Sequence, residues 1–169
     1  KYASKSLKIS IKSYTNFLKD PNLKNATEMA LASNLAGRAI NISKTTAPHA
    51  ASYPFTSLFN ISHGHAVGLF FEKFFEFNYN NIFRSEANFD LNKRFNIIFD
   101  LFETPDIKSF NSKISLIKKR ANLEDNLYDL NIDINKRSEE IISGINILRL
   151  GNNPVKINGA DIYKIISGK

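Results

Sequence analysis

The chain has 169 residues, about the length of one domain, and 43% of them are apolar, with 12% aromatic. This composition supports a sizeable core and excludes a chain that is disordered throughout. The absence of cysteine excludes disulfides, thiolate metal sites and a cysteine nucleophile, and it indicates a reducing compartment, which we take to be the cytoplasm.

The net charge is +7, but the cations are spread along the chain and form no run. A dispersed positive charge of this kind affects solubility and non-specific association but does not indicate a binding site, so we predict no nucleic-acid partner. No apolar stretch reaches the roughly 18 residues that a membrane span needs, and the longest one is broken by charged residues. We therefore predict no membrane partner.

Helical periodicity runs through the chain with short breaks, and no segment shows convincing strand alternation. The predicted fold class is all-α, a helical bundle that forms a single domain over residues 1–169. The predicted helices, in chain order, are 2–18, Asn25–Ser43, Ala47–Phe59, His63–Phe77, Leu91–Glu103, Asp106–Ala121, Asn135–Leu148 and a short last helix that ends near Ile166. Residues 78–89 are predicted to be irregular. Residues 123–134 are predicted to form a linker whose apolar side chains pack into the protein.

Local signals add detail to three of these helices. The small residues of Asn25–Ser43, with Gly37 among them, predict a buried and crowded helix. Thr46 is a good N-cap and Pro48 suits a first helical turn, whereas Pro54 is expected to bend the helix that follows. Five phenylalanines of the next helix are so dense that most are expected in the core: Phe70, Phe71, Phe74, Phe75 and Phe77.

The three histidines of the chain, His49, His63 and His65, lie within 17 residues of one another. A lone histidine on a helix is more often an ordinary core or surface residue. Three of them at the starts of two consecutive helices favour a metal site, since a neutral imidazole is a common metal ligand. Tyr53 lies four residues after His49, on the same helix face, and can reach the same pocket.

The ligand set of such a site is incomplete in this chain. No carboxylate or third histidine has a spacing that completes four-coordination, and two histidines alone hold a catalytic metal too weakly. Ser52 and Ser62 lie near the histidines, but no acidic residue has a spacing typical of a catalytic triad. The sequence also has no G-x-G-x-x-G, no P-loop and no G-x-S-x-G motif. The residues alone therefore predict half a metal site.

The stretch Met29–Phe71, MALASNLAGRAINISKTTAPHAASYPFTSLFNISHGHAVGLFF, resembles the C-terminal half of the iron-containing (group III) alcohol dehydrogenases. That family has an Ala-rich helix with an S-x-L-A-G-x-A core, which SNLAGRA matches, then a helix-opening His, and a second His-Gly fourteen residues later. The tail RLGNNPVKINGADIYKII resembles the family's closing turn and last helix. The segment INISKTTAPHAASY is similar to the sequences of a branch of phosphonoacetaldehyde-reductase-like proteins. The C-terminal fold of this family, shared with dehydroquinate-synthase-like proteins, is helical.

The resemblance implies that His49 and His63 are two of the four ligands of a divalent iron or zinc ion. It places the other two ligands, an Asp and a His, just upstream of the region that matches Lys1–Lys19. These two, and the family's N-terminal dinucleotide-binding domain, would then be missing from this chain, which begins with Lys rather than Met. Tyr53 stands where many members have another His near the substrate and nicotinamide, and His65 has no universal counterpart. We take Tyr53 and His65 as candidate catalytic residues, which would relay a proton or bind an anionic substrate tail.

The function implied by the resemblance is the metal-binding part of an NAD(P)-dependent alcohol dehydrogenase. It would reduce an aldehyde, phosphonoacetaldehyde-like in the nearest branch, and would be inactive as this fragment. The expected partners are the missing domain, a small aldehyde or alcohol, and a second copy of the chain in a homodimer. The alternative is a non-catalytic helical scaffold or dimerisation module, which predicts no bound metal. A nucleic-acid-binding bundle would instead show affinity that falls steeply with salt.

Overall fold

The computed structural model describes residues 1–168, and within them the chain is all-α, as predicted. The helices are α1 (Tyr2–Lys19), α2 (Leu23–Ser43), α3 (Ala47–Phe59), α4 (His63–Asn80), α5 (Leu91–Phe102), α6 (Ile107–Arg120), α7 (Ser138–Ser143), α8 (Ile147–Leu150) and α9 (Gly159–Ser167). Two 3-10 turns cover Ile82–Arg84 and Ile134–Arg137. The described residues form no strand beyond an isolated bridge between Ser85 and Val155. None of their helices is long and apolar enough to cross a membrane.

The chain forms two compact units. One comprises Lys1–Lys44 with Asn96–Asn122, and the other comprises Thr45–Phe95 with the chain from Leu123 onward. The sequence predicts a single domain and shows no boundary at these points, because neither junction carries a Gly/Pro-rich linker.

The first unit is built on an antiparallel pair, α1 against α2. Two buried serines of α1 lie at this contact: the Ser6 hydroxyl donates to the Ala32 carbonyl at 2.7 Å, and the Ser13 hydroxyl donates to Glu28. Hydroxyls of this size let two helices approach closely while their buried polar atoms stay hydrogen-bonded. The α6 helix begins as predicted, with the Asp106 carboxylate accepting from the Ser109 amide at 2.7 Å.

The prediction that Asn25–Ser43 is buried and crowded is wrong for this chain. Only Ala32 and Leu35 of α2 are buried, and a Cβ added at Gly37 would meet no atom within 4 Å. Small residues permit a close neighbour, but they do not require one. The Ala-rich pattern therefore predicts a helix correctly and its burial incorrectly.

The core of the second unit lies between α3, α4 and α9. Phe70 and Phe74 of α4 are fully buried, and the Phe70 ring lies 4.6 Å from that of Phe55 in α3. The other three phenylalanines of the cluster are only partly buried, so the predicted core role is confirmed for Phe70 and Phe74 and not for most of the five. The linker of residues 123–134 contributes apolar side chains to this core, as expected. They are Leu127, Leu130 and Ile132.

The junction of α3 and α4 is a tight turn. Asn60 adopts the left-handed conformation, with φ 54° and ψ 31°, and the Ile61 amide donates back to the Phe55 carbonyl. Asn is one of the few residues other than Gly that tolerates this conformation, so it ends a helix well. The turn reverses the chain within a few residues and starts α4 at His63, as the sequence predicts.

The prediction of one helix over Asn135–Leu148 is wrong, because the segment is divided into a 3-10 turn, α7 and α8. The break follows Gly144, and Asn146 then caps α8 by accepting from the Arg149 amide at 3.0 Å. The Asn146 amide also donates to the Ala50 carbonyl of α3 at 3.3 Å. This bond holds the start of α8 against the first turns of α3.

The tail after α8 is held by side-chain contacts. Arg84 pairs with Asp161 at 2.7 Å, and the Ser85 hydroxyl donates to the Pro154 carbonyl at 2.7 Å. Asn158 and Asp161 form a reciprocal capping box at the start of α9. These bonds anchor the turn and the last helix in the second unit.

Candidate metal centre

The structure brings His49 and His63 together. His49 lies in the first turn of α3 and His63 opens α4, and their ring centroids are 5.5 Å apart with an angle of 61° between the ring planes. The tight turn at Asn60 produces this arrangement, because it returns the chain to the N-terminal part of α3. Both rings therefore belong to one place in the second unit.

This separation fits two ligands of one ion. A metal bonded to an imidazole nitrogen at about 2.0–2.1 Å lies about 3.2 Å from the ring centroid. Two such rings at a tetrahedral angle have centroids about 5.2 Å apart, close to the observed 5.5 Å. The separation of the two rings is thus compatible with a shared divalent ion.

The ligand set is incomplete within the described residues. Residues 1–168 contain no group of three His, Cys, Asp or Glu side chains arranged to hold a metal. A stable metal site usually has three or four protein ligands, so the two histidines by themselves do not make one.

The environment of His49 favours the neutral ring. Burial lowers the pKa of His49, and the nearby charges of His63 and Arg149 lower this pKa further. A neutral imidazole keeps the lone pair that a metal ion binds.

Ser52 connects the two histidines. It is completely buried in α3; its hydroxyl lies 2.8 Å from the His49 carbonyl oxygen and 3.3 Å from Nδ1 of His63. In the sequence, Ser52 lies near the histidines but has no acidic residue at a spacing typical of a catalytic triad. Its position three residues after His49 was the one signal of a contact role, since residues three apart share a helix face.

Tyr53 lies beside the histidine pair, with its ring 5.8 Å from that of His63. The guanidinium of Arg149 lies over the Tyr53 ring, 5.6 Å from its centroid, and it donates to the buried hydroxyl of Thr45. Asn152 donates to the Thr45 carbonyl at 3.2 Å. None of the predicted site residues is Thr45, Arg149 or Asn152, because no local pattern connects these three residues with the histidines.

His65 points to a different part of the unit. Its Nε2 lies 2.7 Å from the carbonyl oxygen of Glu124, which can only accept, so Nε2 carries the proton. His63 and His65 are two residues apart in α4, and side chains at this spacing do not face each other. The structure thus groups Tyr53 with His49 and His63, and it binds His65 to the segment after α6.

The C-terminal model of the Fe-containing alcohol dehydrogenase family matches residues 1–169. A sulfoacetaldehyde reductase from Bifidobacterium kashiwanohense, solved in complex with NAD+, is 25% identical and superposes with a TM-score of 0.82 over 99% of this chain. An archaeal halo-thermophilic alcohol dehydrogenase from a Red Sea brine pool, solved as a mutant and bound to NZQ, is 20% identical with a TM-score of 0.84.

The fold is therefore that of the helical domain of these dehydrogenases. The chain belongs to the Fe-containing alcohol dehydrogenase family, of which it represents the C-terminal domain. It spans only 42% of the sulfoacetaldehyde reductase chain and 43% of the archaeal enzyme. A comparison with curated protein sequences gives no match.

Proposed function

We propose that this chain is the metal-binding part of an NAD(P)H-dependent enzyme that reduces a small aldehyde to an alcohol. The observation that carries the proposal is the pair of imidazoles 5.5 Å apart at the starts of α3 and α4. Family membership supports the general reaction, and the NAD+ complex of the sulfoacetaldehyde reductase supports a nicotinamide cofactor. An N-terminal domain would supply the cofactor site and the other metal ligands, and the chain alone would be inactive.

His49 and His63 would hold the divalent ion, Fe2+ or Zn2+. When bound, such an ion supplies Lewis-acid stabilisation of the charge that develops on the carbonyl oxygen during hydride transfer. The chain's own residues then have two tasks: to keep both rings neutral and oriented, and to deliver a proton to that oxygen. Burial and the charge of Arg149 serve the first task for His49.

For proton delivery we propose Tyr53, whose ring packs on that of His63. Its phenolic hydroxyl can both donate and accept, as a relay requires. His65 stays the second candidate. Because its Nε2–H is bound to the Glu124 carbonyl, the atom left to take up a proton is Nδ1.

We propose further that the substrate carries an anionic group, as a phosphonoacetaldehyde-like aldehyde does. Arg149 supports this proposal, because it has no carboxylate partner within residues 1–168 and lies beside Tyr53 and the histidine pair. A guanidinium binds phosphonate or sulfonate oxygens through paired N–H donors.

The metal assignment is tested by titrating the complete protein, with its N-terminal domain, with Zn2+ or Co2+, because the two histidines of this chain alone hold a metal too weakly. We expect His49→Ala and His63→Ala to abolish binding, whereas His65→Ala, the matched control, leaves it unchanged. Binding that survives in His63→Ala would overturn the ligand assignment. Absence of binding in the wild type would favour the alternative of a non-catalytic scaffold or dimerisation module.

The catalytic assignment needs the complete protein, so the DNA upstream of Lys1 is sequenced and the full reading frame expressed. We expect NAD(P)H oxidation by phosphonoacetaldehyde to be lost in His63→Ala together with the metal. Arg149→Gln is expected to raise KM for this anionic aldehyde and to leave KM for an uncharged aldehyde unchanged. Arg137→Gln is the control, since Arg137 also covers an aromatic ring but pairs with Glu140.

A homodimer and a cytoplasmic location stay predictions. The chain exposes several large apolar side chains on which a second copy or a missing domain could pack: Leu23, Ile42, Phe83, Tyr128, Ile147 and Leu148. Sedimentation over a range of concentrations tests the dimer, and a monomer at every concentration would contradict it.

A further inference from the structure

The hydroxyl of Ser52 has two neighbours and one hydrogen to donate. The His49 carbonyl oxygen, at 2.8 Å, can only accept, so the Ser52 hydrogen points there. Toward Nδ1 of His63, at 3.3 Å, the hydroxyl oxygen has only lone pairs left. A hydrogen bond between these two atoms therefore requires that Nδ1 of His63 carry the proton.

We propose that Ser52 is a positioning residue that holds His63 in the Nδ1–H tautomer. The lone pair of that ring then lies on Nε2, which is the nitrogen available to a metal ion. Because Ser52 is completely buried, water does not compete for its lone pairs, and the ring orientation is set before any ion arrives. In metal sites generally, the tautomer of a ligand histidine is fixed by the group that is hydrogen-bonded to its other ring nitrogen.

His65 provides an internal contrast. Its Nε2 donates to the Glu124 carbonyl, so His65 is held in the opposite tautomer, with the proton on Nε2. Two histidines of one helix, two residues apart, thus have their protons on different nitrogens because their partners differ. Neither bond depends on a metal being bound.

The test is the tautomer of each ring in the metal-free chain, measured by long-range 1H–15N correlation at about pH 8.5, roughly two units above the usual histidine pKa. We expect the Nδ1–H pattern for His63 and the Nε2–H pattern for His65. In Ser52→Ala the pattern of His63 should change to a tautomer mixture, and that of His65 should not. Ser57→Ala is the matched control, since Ser57 lies in the same helix and donates only to the Pro54 carbonyl.

Ser52→Thr keeps the hydroxyl and is expected to restore the Nδ1–H pattern, which a merely space-filling role would not require. An Nε2–H pattern for His63 in the wild type would overturn the proposal, as would an unchanged pattern in Ser52→Ala.

The consequence for metal binding rests on the proposed function and is measured separately. In the complete protein, Ser52→Ala is expected to weaken Zn2+ binding by about 10–100-fold, the usual effect of losing a hydrogen-bond partner of a ligand histidine. Equal affinity in Ser52→Ala and wild type would overturn the positioning role. If the wild type binds no metal, the ligand assignment of the proposed function fails, while the tautomer assignment is still decided by the 15N spectra.

Discussion

Gly144, at the end of α7, has almost no room for a side chain, so Gly144→Ala tests how tightly α7 packs on α3. A Cβ at this position would lie 3.0 Å from the Cβ of Pro54 and 3.2 Å from the carbonyl oxygen of Glu140. Neither atom is the end of a flexible side chain, because one belongs to a buried proline ring and the other to the backbone. The Pro54 ring or the end of α7 must therefore give by a few tenths of an ångström to admit the methyl group.

Two opposing terms set the size of the effect. The backbone at Gly144 has φ −77°, which alanine adopts without strain. The loss of unfolded-state freedom therefore stabilises the protein by about 0.4–1 kcal/mol. Forcing a methyl group into a dense core costs about 1–3 kcal/mol. Taking the middle of each range, we expect a net loss of about 1.3 kcal/mol in the free energy of unfolding.

Gly37→Ala is the matched control, because the same change is made where a Cβ meets no atom within 4 Å. In the interior of α2 it should stabilise the protein by about 0.5–1 kcal/mol. Both variants are measured by urea denaturation followed by circular dichroism, with the slopes compared to the wild type. A Gly144→Ala variant as stable as the wild type would refute the steric argument.

Three further outcomes are expected from the second unit and its histidines. Phe70→Ala removes a fully buried ring and should cost about 3–5 kcal/mol in chemical denaturation, whereas Phe83→Ala, at 82% exposure, should change stability little. Hydrogen bonding from Arg84 lowers the pKa of Asp161, so this pair stabilises the fold above the usual carboxyl pKa, and the stabilisation disappears as the pH falls through the lowered value. In Asp161→Asn, the melting temperature should therefore depend less on pH below about pH 4 than it does in the wild type. His49→Ala should keep the helical circular-dichroism signal, since its ring is only half-buried.

Much of the helix pattern is predictable because its signals act over a few residues. The helix Ala47–Phe59 is predicted closely, since Thr46 and Pro48 mark its start. The segment Asn135–Leu148 shows the limit of this reasoning. Its apolar spacing suits one helix, but the Asn146 amide bonds to Ala50 instead of continuing the helix. A contact so distant in sequence has no local signal.

The sequence by itself determined the all-α class and most helix starts, because caps, prolines and apolar spacing are local features. It favoured a shared site for His49 and His63 but did not establish that the two rings meet. Only the tertiary structure decided what surrounds the two rings. Arg149 reaches Thr45 across 104 residues, and Ser52 aligns with His63 only after α3 and α4 have packed. Such contacts depend on how helices pack, and many distant pairings are compatible with the same local pattern.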